Sequence, residues 1–420
     1  MSPRTRDHAE LVRARVAVCL LFLLSGMAIG TWTARIPAIK AALEVSDGQL
    51  SLALLGIAAG AISGMMTVGR LVDRYGSTRI MVPMALLQGV VLVLPAFAPS
   101  LWSLGLALFA FGAVHGTLDV AMNAGAVDVE RAAGRPMMSS FHAVFSVGGF
   151  LGAGLGGLFA SAAASPAVAF TTSAVLITVM AWWAARWALS PASSLRAPAP
   201  AAAARPVAQG RRGGGTVAWV LLLGALGFGC MLGEGAAADW SSVYVHDSLG
   251  GSAGLAAFAY AAFSIMMTAG RLAGDRLAAR FGPVLLVRGC GLIAAAGLGV
   301  ALLIGHPVAG VVGFAFLGAG LSCIVPQVFS AAGNQDPGRA GRSLARVAAL
   351  AYAGFLSGPV LIGAAAELTG LPAALAIPVV LAFFVSLAAP ALRPRQAPAP
   401  SPGEQGEAVP ATPESGRNPA

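Results

Sequence analysis

The sequence predicts an all-α membrane protein with twelve transmembrane helices arranged as two repeated six-helix halves. Three observations predict this. Charged residues make up only 10% of the chain while hydrophobic residues make up 57%. The apolar residues fall into long runs separated by short basic gaps. One segment in the first half recurs almost unchanged in the second. A soluble protein carries about a quarter charged residues, so a chain this poor in charge must turn most of its surface to lipid.

A bilayer core requires about 20 consecutive apolar residues per helix. Twelve runs satisfy this, near residues 14–34, 48–70, 79–98, 101–128, 138–162, 166–188, 216–240, 252–275, 283–304, 308–332, 343–366 and 371–392. Glycine and proline within them are compatible with helix, because membrane helices tolerate both. Gly-rich stretches such as Gly148 to Gly157 are expected where helices pack backbone to backbone. The first run follows Arg13 and Arg15, lacks a small-residue cleavage site and leads into further spans, so it reads as a helix rather than a cleaved leader.

The net charge of +9 invites a nucleic-acid reading. The distribution of the arginines excludes it, because they punctuate the gaps between apolar runs instead of forming one polar patch. With the N-terminus placed in the cytoplasm, every basic residue except Arg35 and Lys40 falls on the inner side or in the tails. That asymmetry is the positive-inside rule, and one span more or fewer would destroy it. It puts both termini in the cytoplasm and the chain in the inner (plasma) membrane. The tryptophans suggest a belt at both faces: Trp32, Trp102 and Trp240 at outer ends, and Trp182, Trp183, Trp187 and Trp219 at inner ends.

This organisation gives an N-terminal bundle over residues 1–188, a cytoplasmic linker over 189–215, a C-terminal bundle over 216–392 and a tail over 393–420. The linker and tail, rich in Ala and Pro, cannot bury a core. Cys19, Cys230, Cys290 and Cys323 lie in apolar runs without metal-ligand or disulfide spacing, and read as small apolar filler.

The internal repeat runs from Ser63 to Leu71 and again from Ser264 to Leu272, differing only at Gly64/Ile265 and Val68/Ala269. Both copies lie at the inner end of the second span of a half, which defines a parallel two-fold repeat. The segment Gly69–Arg70–Leu71–Val72–Asp73–Arg74–Tyr75–Gly76, with Arg79 beyond it, resembles the major facilitator signature between the second and third spans. A degenerate copy carries Gly270, Asp275, Arg276, Arg280 and Gly282. Physically, a carboxylate and arginines at the membrane edge can latch two halves through ion pairs and helix-end charges. The resemblance implies that Asp73 and Arg74 stabilise one alternating-access state. It assigns Gly69, Gly76, Asp275 and Arg276 to the same gate, together with Asp128.

Two features of proton-coupled drug antiporters are missing. The fourth span has no arginine near Gly112, and the fifth has no Gly-Pro pair; the one similar pair is Gly358–Pro359, in the eleventh. Three stretches are closer to the MosC-like branch, which is loosely similar to fucose–proton symporters. They are Gly30 to Pro37, Asp119 to Asn123 continuing to Glu130, and Arg135 to His142. That branch implies a class of mechanism rather than a ligand.

A buried ionisable group costs about 2.5–3.5 kcal/mol on insertion scales, so its position is informative. The first, fourth, seventh and tenth spans carry most such groups, and the resemblance implies that these four line a central cavity. In the fourth, His115, Asp119 and Asn123 are spaced four apart and share one face. A carboxylate beside an imidazole in a desolvated cavity can exchange protons near neutral pH, while a structural polar cluster is the alternative. Glu234 in the seventh span is a second candidate proton carrier. Asp239 and Trp240 lie near its outer end, where Asp239 is equally consistent with an interfacial residue.

Further cavity candidates follow. Gln327 and Asn334 suit a hydrogen-bonding ligand or an interhelical bond. Trp32 suits a sugar ring or an interfacial anchor. Arg35 suits a pairing with Glu234 or Asp239, or an anionic solute. His142 and Tyr352 suit packing or the cavity. With no nucleotide-binding loop and no metal-ligand spacing, neither an enzyme nor a cofactor is indicated. The expectation is a monomeric secondary transporter of a small polar solute, such as a sugar, polyol or related metabolite, coupled to protons. An efflux carrier for a metabolite or antibiotic and a non-transporting membrane receptor or accessory protein are the alternatives.

Overall fold

The computed structural model describes residues 3–188, 213–335 and 337–393. The linker and tail expected at 189–215 and 393–420 therefore lie outside the described residues, save for their edges. Among the described residues there is no β-strand, and eleven helical stretches are long and apolar enough to cross a membrane. In chain order they are His8–Leu43, Leu52–Tyr75, Ser77–Phe97, Leu101–Ala133, Met138–Ser161, Pro166–Trp187, Val217–Ser248, Ala253–Ile304, Pro307–Asn334, Ala340–Thr369 and Leu371–Leu392.

The stretch Ala253–Ile304 has 52 residues. At about 1.5 Å per residue it would be about 78 Å long, more than twice a bilayer core of about 30 Å. Gly282 interrupts it with φ 74° and ψ 163°. Gly76, which joins the second and third spans, has nearly the same conformation at φ 86° and ψ 155°. A positive φ is strained for any residue with a Cβ, so glycine is what permits both corners. The two arms about Gly282 are counted below as the eighth and ninth spans, which makes twelve helical stretches among the described residues.

Small residues set how closely the spans approach. A Cβ on Gly26 would lie 2.1 Å from the Phe145 carbonyl oxygen, and one on Gly152 would lie 2.2 Å from that of Met27. First and fifth spans thus touch backbone to backbone, as expected for the stretch from Gly148. The second and fourth spans do the same at Gly112, whose Cβ would meet the Ile57 oxygen at 2.1 Å. The second half repeats both pairings. A Cβ on Gly354 of the eleventh span would lie 2.3 Å from the Phe228 oxygen of the seventh, and one on Gly318 of the tenth would lie 2.1 Å from the Phe263 oxygen of the eighth. Lipid offers no hydrophobic drive between apolar helices, so this close van der Waals contact holds the bundle together.

Large apolar side chains such as Phe97, Leu303 and Leu368 project outward, as a lipid-facing surface requires. The tryptophan belt forms only in part. Trp102, Trp182 and Trp183 are exposed. Trp219 is buried and donates to the Ala391 carbonyl at 2.8 Å. Trp32 is buried against Phe170, with ring centroids 6.0 Å apart. The indole of Trp219 finds a backbone acceptor inside the protein, which removes the reason to sit at an interface. The first helix also outruns its apolar stretch, continuing through Arg35 and Pro37 to Leu43.

The packing gives a test. Gly152→Leu should abolish a monodisperse peak in fluorescence-detected size-exclusion chromatography, since backbone atoms cannot yield to the added side chain. Gly154, where a Cβ would meet nothing within 4 Å, should accept alanine without loss. Equal behaviour of the two variants would remove the backbone-contact account.

Candidate functional site

The first and last halves of the chain meet along a seam at the end of the bundle that carries Arg70, Arg74, Arg79 and Arg131. Two helices begin on this seam, the fifth span at Met138 and the eleventh at Ala340. Neither has a side-chain cap from its own N-cap residue. A helix start leaves four N–H groups without an intrahelical partner and carries a partial positive charge.

Carboxylates supply what is missing. At the fifth span, Glu130 accepts from the Met137 and Met138 amides at 2.8 and 3.0 Å. Asp275, from the opposite half, accepts from the next two, Ser139 and Ser140, at 2.8 and 3.0 Å. Four consecutive amides are thus taken by two acids, one from each half. At the eleventh span, Asp73 accepts from the Gly341 amide at 2.8 Å and from the Arg342 guanidinium Nε at 2.8 Å. The repeat is therefore expressed as geometry: each half sends the acid at the end of its second span onto a helix start in the other.

Further bonds close the seam. Ser330 and Asn334 of the tenth span donate to Glu130. Arg131 donates to the Gly333 carbonyl at 3.1 Å, steadied by Asp128 at 3.4 Å. Asp128 also accepts from Ser77, which opens the third span. Gly69 and Gly341 allow the approach, since a Cβ on either would fall within 3 Å of backbone atoms across the seam.

Deeper in the bundle lies a second polar group. Asp119 accepts from the Asn123 amide nitrogen at 3.2 Å, one turn along its own helix. Among the described residues no Lys or Arg pairs with it. The Asn123 side-chain oxygen is buried without a partner. Tyr352 of the eleventh span is half-buried. His142 is wedged between Phe22 and Phe329, one ring from each half, with its Nε2 unpartnered. Gln327 is buried just past a break in the tenth span, where helix stops at Leu321 and resumes at Ile324. Pro326 explains the break, because it removes the amide that would bond to Ser322. Broken helices at membrane depth are where transporters place ligand groups.

Comparison with known proteins follows this geometry. The family model described as Major Facilitator Superfamily matches residues 18–343. The chain belongs to the Major Facilitator Superfamily. It is 34% identical over 396 residues to an uncharacterised MFS-type transporter of Yersinia pestis, covering 92% of this chain and 99% of that one. It is 30% identical over 380 residues to the membrane protein MosC of Rhizobium meliloti, covering 89% and 88% of the two chains. Among solved structures, the MFS transporter FucP in the outward conformation superposes with a TM-score of 0.74 at 16% identity, covering 90% of this chain and 98% of that one. The superfamily consists of membrane transporters of small molecules, so this multi-pass chain is a transporter and not an enzyme.

Within this superfamily fold the candidate residues divide. Gly69, Asp73, Asp128 and Asp275 meet at the seam. Arg74 and Arg276 do not reach across it; both are exposed, and Arg74 lies over the Tyr75 ring at 5.2 Å. Asn334 belongs to the seam through Glu130 and not to the cavity. Trp32 packs within the first half. Arg35 does not pair with Glu234 or Asp239: it is buried and donates to the Ala164 carbonyl at 2.6 Å, closing the end of the fifth span. Asp239 is exposed, and Trp240 lies against Gly363 of the eleventh span. His115 turns from Asp119 toward Ser25 of the first span, with Nδ1 3.4 Å from its hydroxyl, and stacks on Phe111.

Sequence reasoning missed three residues. Glu130 was legible only as part of a resemblance, although its place seven residues before the fifth span's cap fits a helix-start acceptor. Arg131 looked like one more positive-inside arginine. Arg271 lies inside the eighth apolar run, which was the signal available, yet it reads as the repeat of Arg70. In the structure Arg70 is exposed while Arg271 is buried and holds Glu234.

A carboxylate at a helix start contributes about 1–2 kcal/mol. Asp73→Asn should therefore shift the closed-to-open ratio at this seam by about 5–30-fold toward open. Distances between spin labels on the arginine-rich ends of the two halves, read by double electron–electron resonance, should lengthen. Asp275→Asn should act in the same direction. Unchanged distributions in both would leave the acids with packing alone.

Proposed function

We propose that the chain is a secondary active transporter of a small polar organic solute, such as a sugar, polyol or related metabolite, driven by protons through alternating access. The observation that carries this reading is Asp119. It lies inside an apolar span with only the Asn123 amide to offset its charge. A carboxylate so placed is costly while ionised, and binding a proton cancels a charge that no cation offsets. Asn123 lies beside it, and Gln327 of the tenth span and Tyr352 of the eleventh supply further hydrogen-bonding groups in the bundle. Glu234 differs, because Arg271 already neutralises it.

The state of the molecule supports the mechanism. The arginine-rich face is cytoplasmic on the positive-inside rule, and the crossed helix caps close the seam there, which fits a state shut toward the cytoplasm. Its conversion to the other state must break the carboxylate caps at both helix starts. A solute and a proton can drive that only if they bind the inward state more tightly.

Two measurements test the reading. In proteoliposomes, Asp119→Asn should abolish uphill solute accumulation and its accompanying proton flux while equilibrium exchange survives, because the amide imitates the protonated acid. Intact proton-driven uphill transport by that variant would remove Asp119 as carrier and turn attention to Glu234, with Glu234→Gln as the parallel control. For topology, reporter fusions at residues 200 and 400 should both report cytoplasm; a periplasmic signal from either would overturn the orientation.

A further inference from the structure

Arg271 is a cation held between the two halves of the bundle with most of its donors unused. Its Nη2 donates to Glu234 of the seventh span at 3.0 Å, and its Nη1 donates to Ser146 of the fifth span, in the other half, at 2.8 Å. Its Nε is buried with no partner. A guanidinium offers five N–H groups in a planar fork, so two described bonds leave three unfilled. The fork matches a carboxylate in bidentate fashion, and Glu234 meets it through one oxygen only. The side chains of Arg271 and Glu234 are 11% and 19% exposed, so neither is completely sealed in protein.

Position adds to the argument. The repeat gives Arg70 the same sequence context, and Arg70 stays exposed on the arginine-rich face. Arg271 instead turns inward, four residues before the Asp275 that caps the fifth span, and reaches Ser146, which lies two turns beyond that cap. An intramembrane cation is expensive and, where it occurs, marks a substrate or ion path. A positive-inside bias does not account for a charge directed away from the membrane surface.

We propose that Arg271 is the anchor for an anionic substrate group, a carboxylate, which displaces the singly bonded Glu234. This inference rests on the transporter reading above and specifies its solute as a small hydroxylated carboxylate. Arg271 holds the charge, and Ser146 of the opposite half, whose hydroxyl donates to the His142 carbonyl and accepts from Arg271, steadies the guanidinium, so a bound carboxylate is held by a cation that spans both halves. A ligand placed there can change the balance between the two states, because its contacts depend on how the halves are disposed. Glu234 acts as the internal competitor that neutralises Arg271 when the cleft is empty.

The test uses the purified full chain in detergent and reads thermal unfolding at fixed ionic strength. The probes are D-gluconate and D-glucuronate, their neutral counterparts D-glucose and D-glucitol, and sodium chloride as a control for general anion effects. The carboxylates should raise the unfolding temperature of the wild type while the neutral partners and chloride do not. Glu234→Gln, lacking the competitor, should bind the carboxylates about tenfold more tightly, whereas a purely structural ion pair predicts a destabilised protein that no anion restores. Arg271→Gln should lose the response, and Arg271→Lys should weaken it about tenfold because an ammonium cannot bind bidentately. Stabilisation by glucose or glucitol alone overturns the anion site and leaves the transporter reading intact. An unchanged carboxylate response in Arg271→Gln, or no response to any probe in the wild type, also overturns it.

Discussion

Two helix beginnings on the seam between the halves are the constraint around which the rest is arranged. The fifth and eleventh spans start where the halves meet, and each start carries bare amides and a positive end that water would otherwise satisfy. Closing the seam removes that water. Closure is possible only because Asp73, Asp275 and Glu130 stand in for it, two of them reaching from the opposite half. The same bonds that allow closure also make it reversible. Each is worth little enough that binding a small solute can offset it.

The fine packing serves this arrangement. Backbone contact at glycine holds the first span against the fifth and the seventh against the eleventh. Between the halves the packing is different in kind: polar bonds and glycine approaches at one end, and partly exposed charged and hydrogen-bonding groups deeper in. Strength within halves and adjustability between them is what a two-state transporter needs.

The sequence was most legible where membrane physics leaves few alternatives. Lipid admits only internally bonded helices, so apolar runs map onto spans almost one for one, and the double stretch from Ala253 was read as two because a gap carrying Arg276 and Arg280 separates its apolar runs. The seam was legible through its acids, since nothing about positive-inside topology accounts for Asp73. Direction was not legible. Trp32 and Trp219 sit at plausible interfacial heights, but helix rotation turns both into protein. His115 shares a face with Asp119 on one helix, but the neighbouring helix offers Ser25, and the ring goes there.

What was readable in the sequence by itself was the placement of the apolar spans and the two-fold repeat, because each follows from composition along a single chain in a bilayer. What only the tertiary structure decided was pairing. Arg70 and Arg271 occupy equivalent places in a repeated segment, yet one faces outward and the other holds Glu234 and Ser146 between the halves. Arg35 was free to meet several acids and instead closes the end of the fifth span. A local sequence fixes the height of a side chain in the membrane. Which partner it meets depends on the rotation and proximity of helices far away in the chain, and those are set by the packing of the whole bundle.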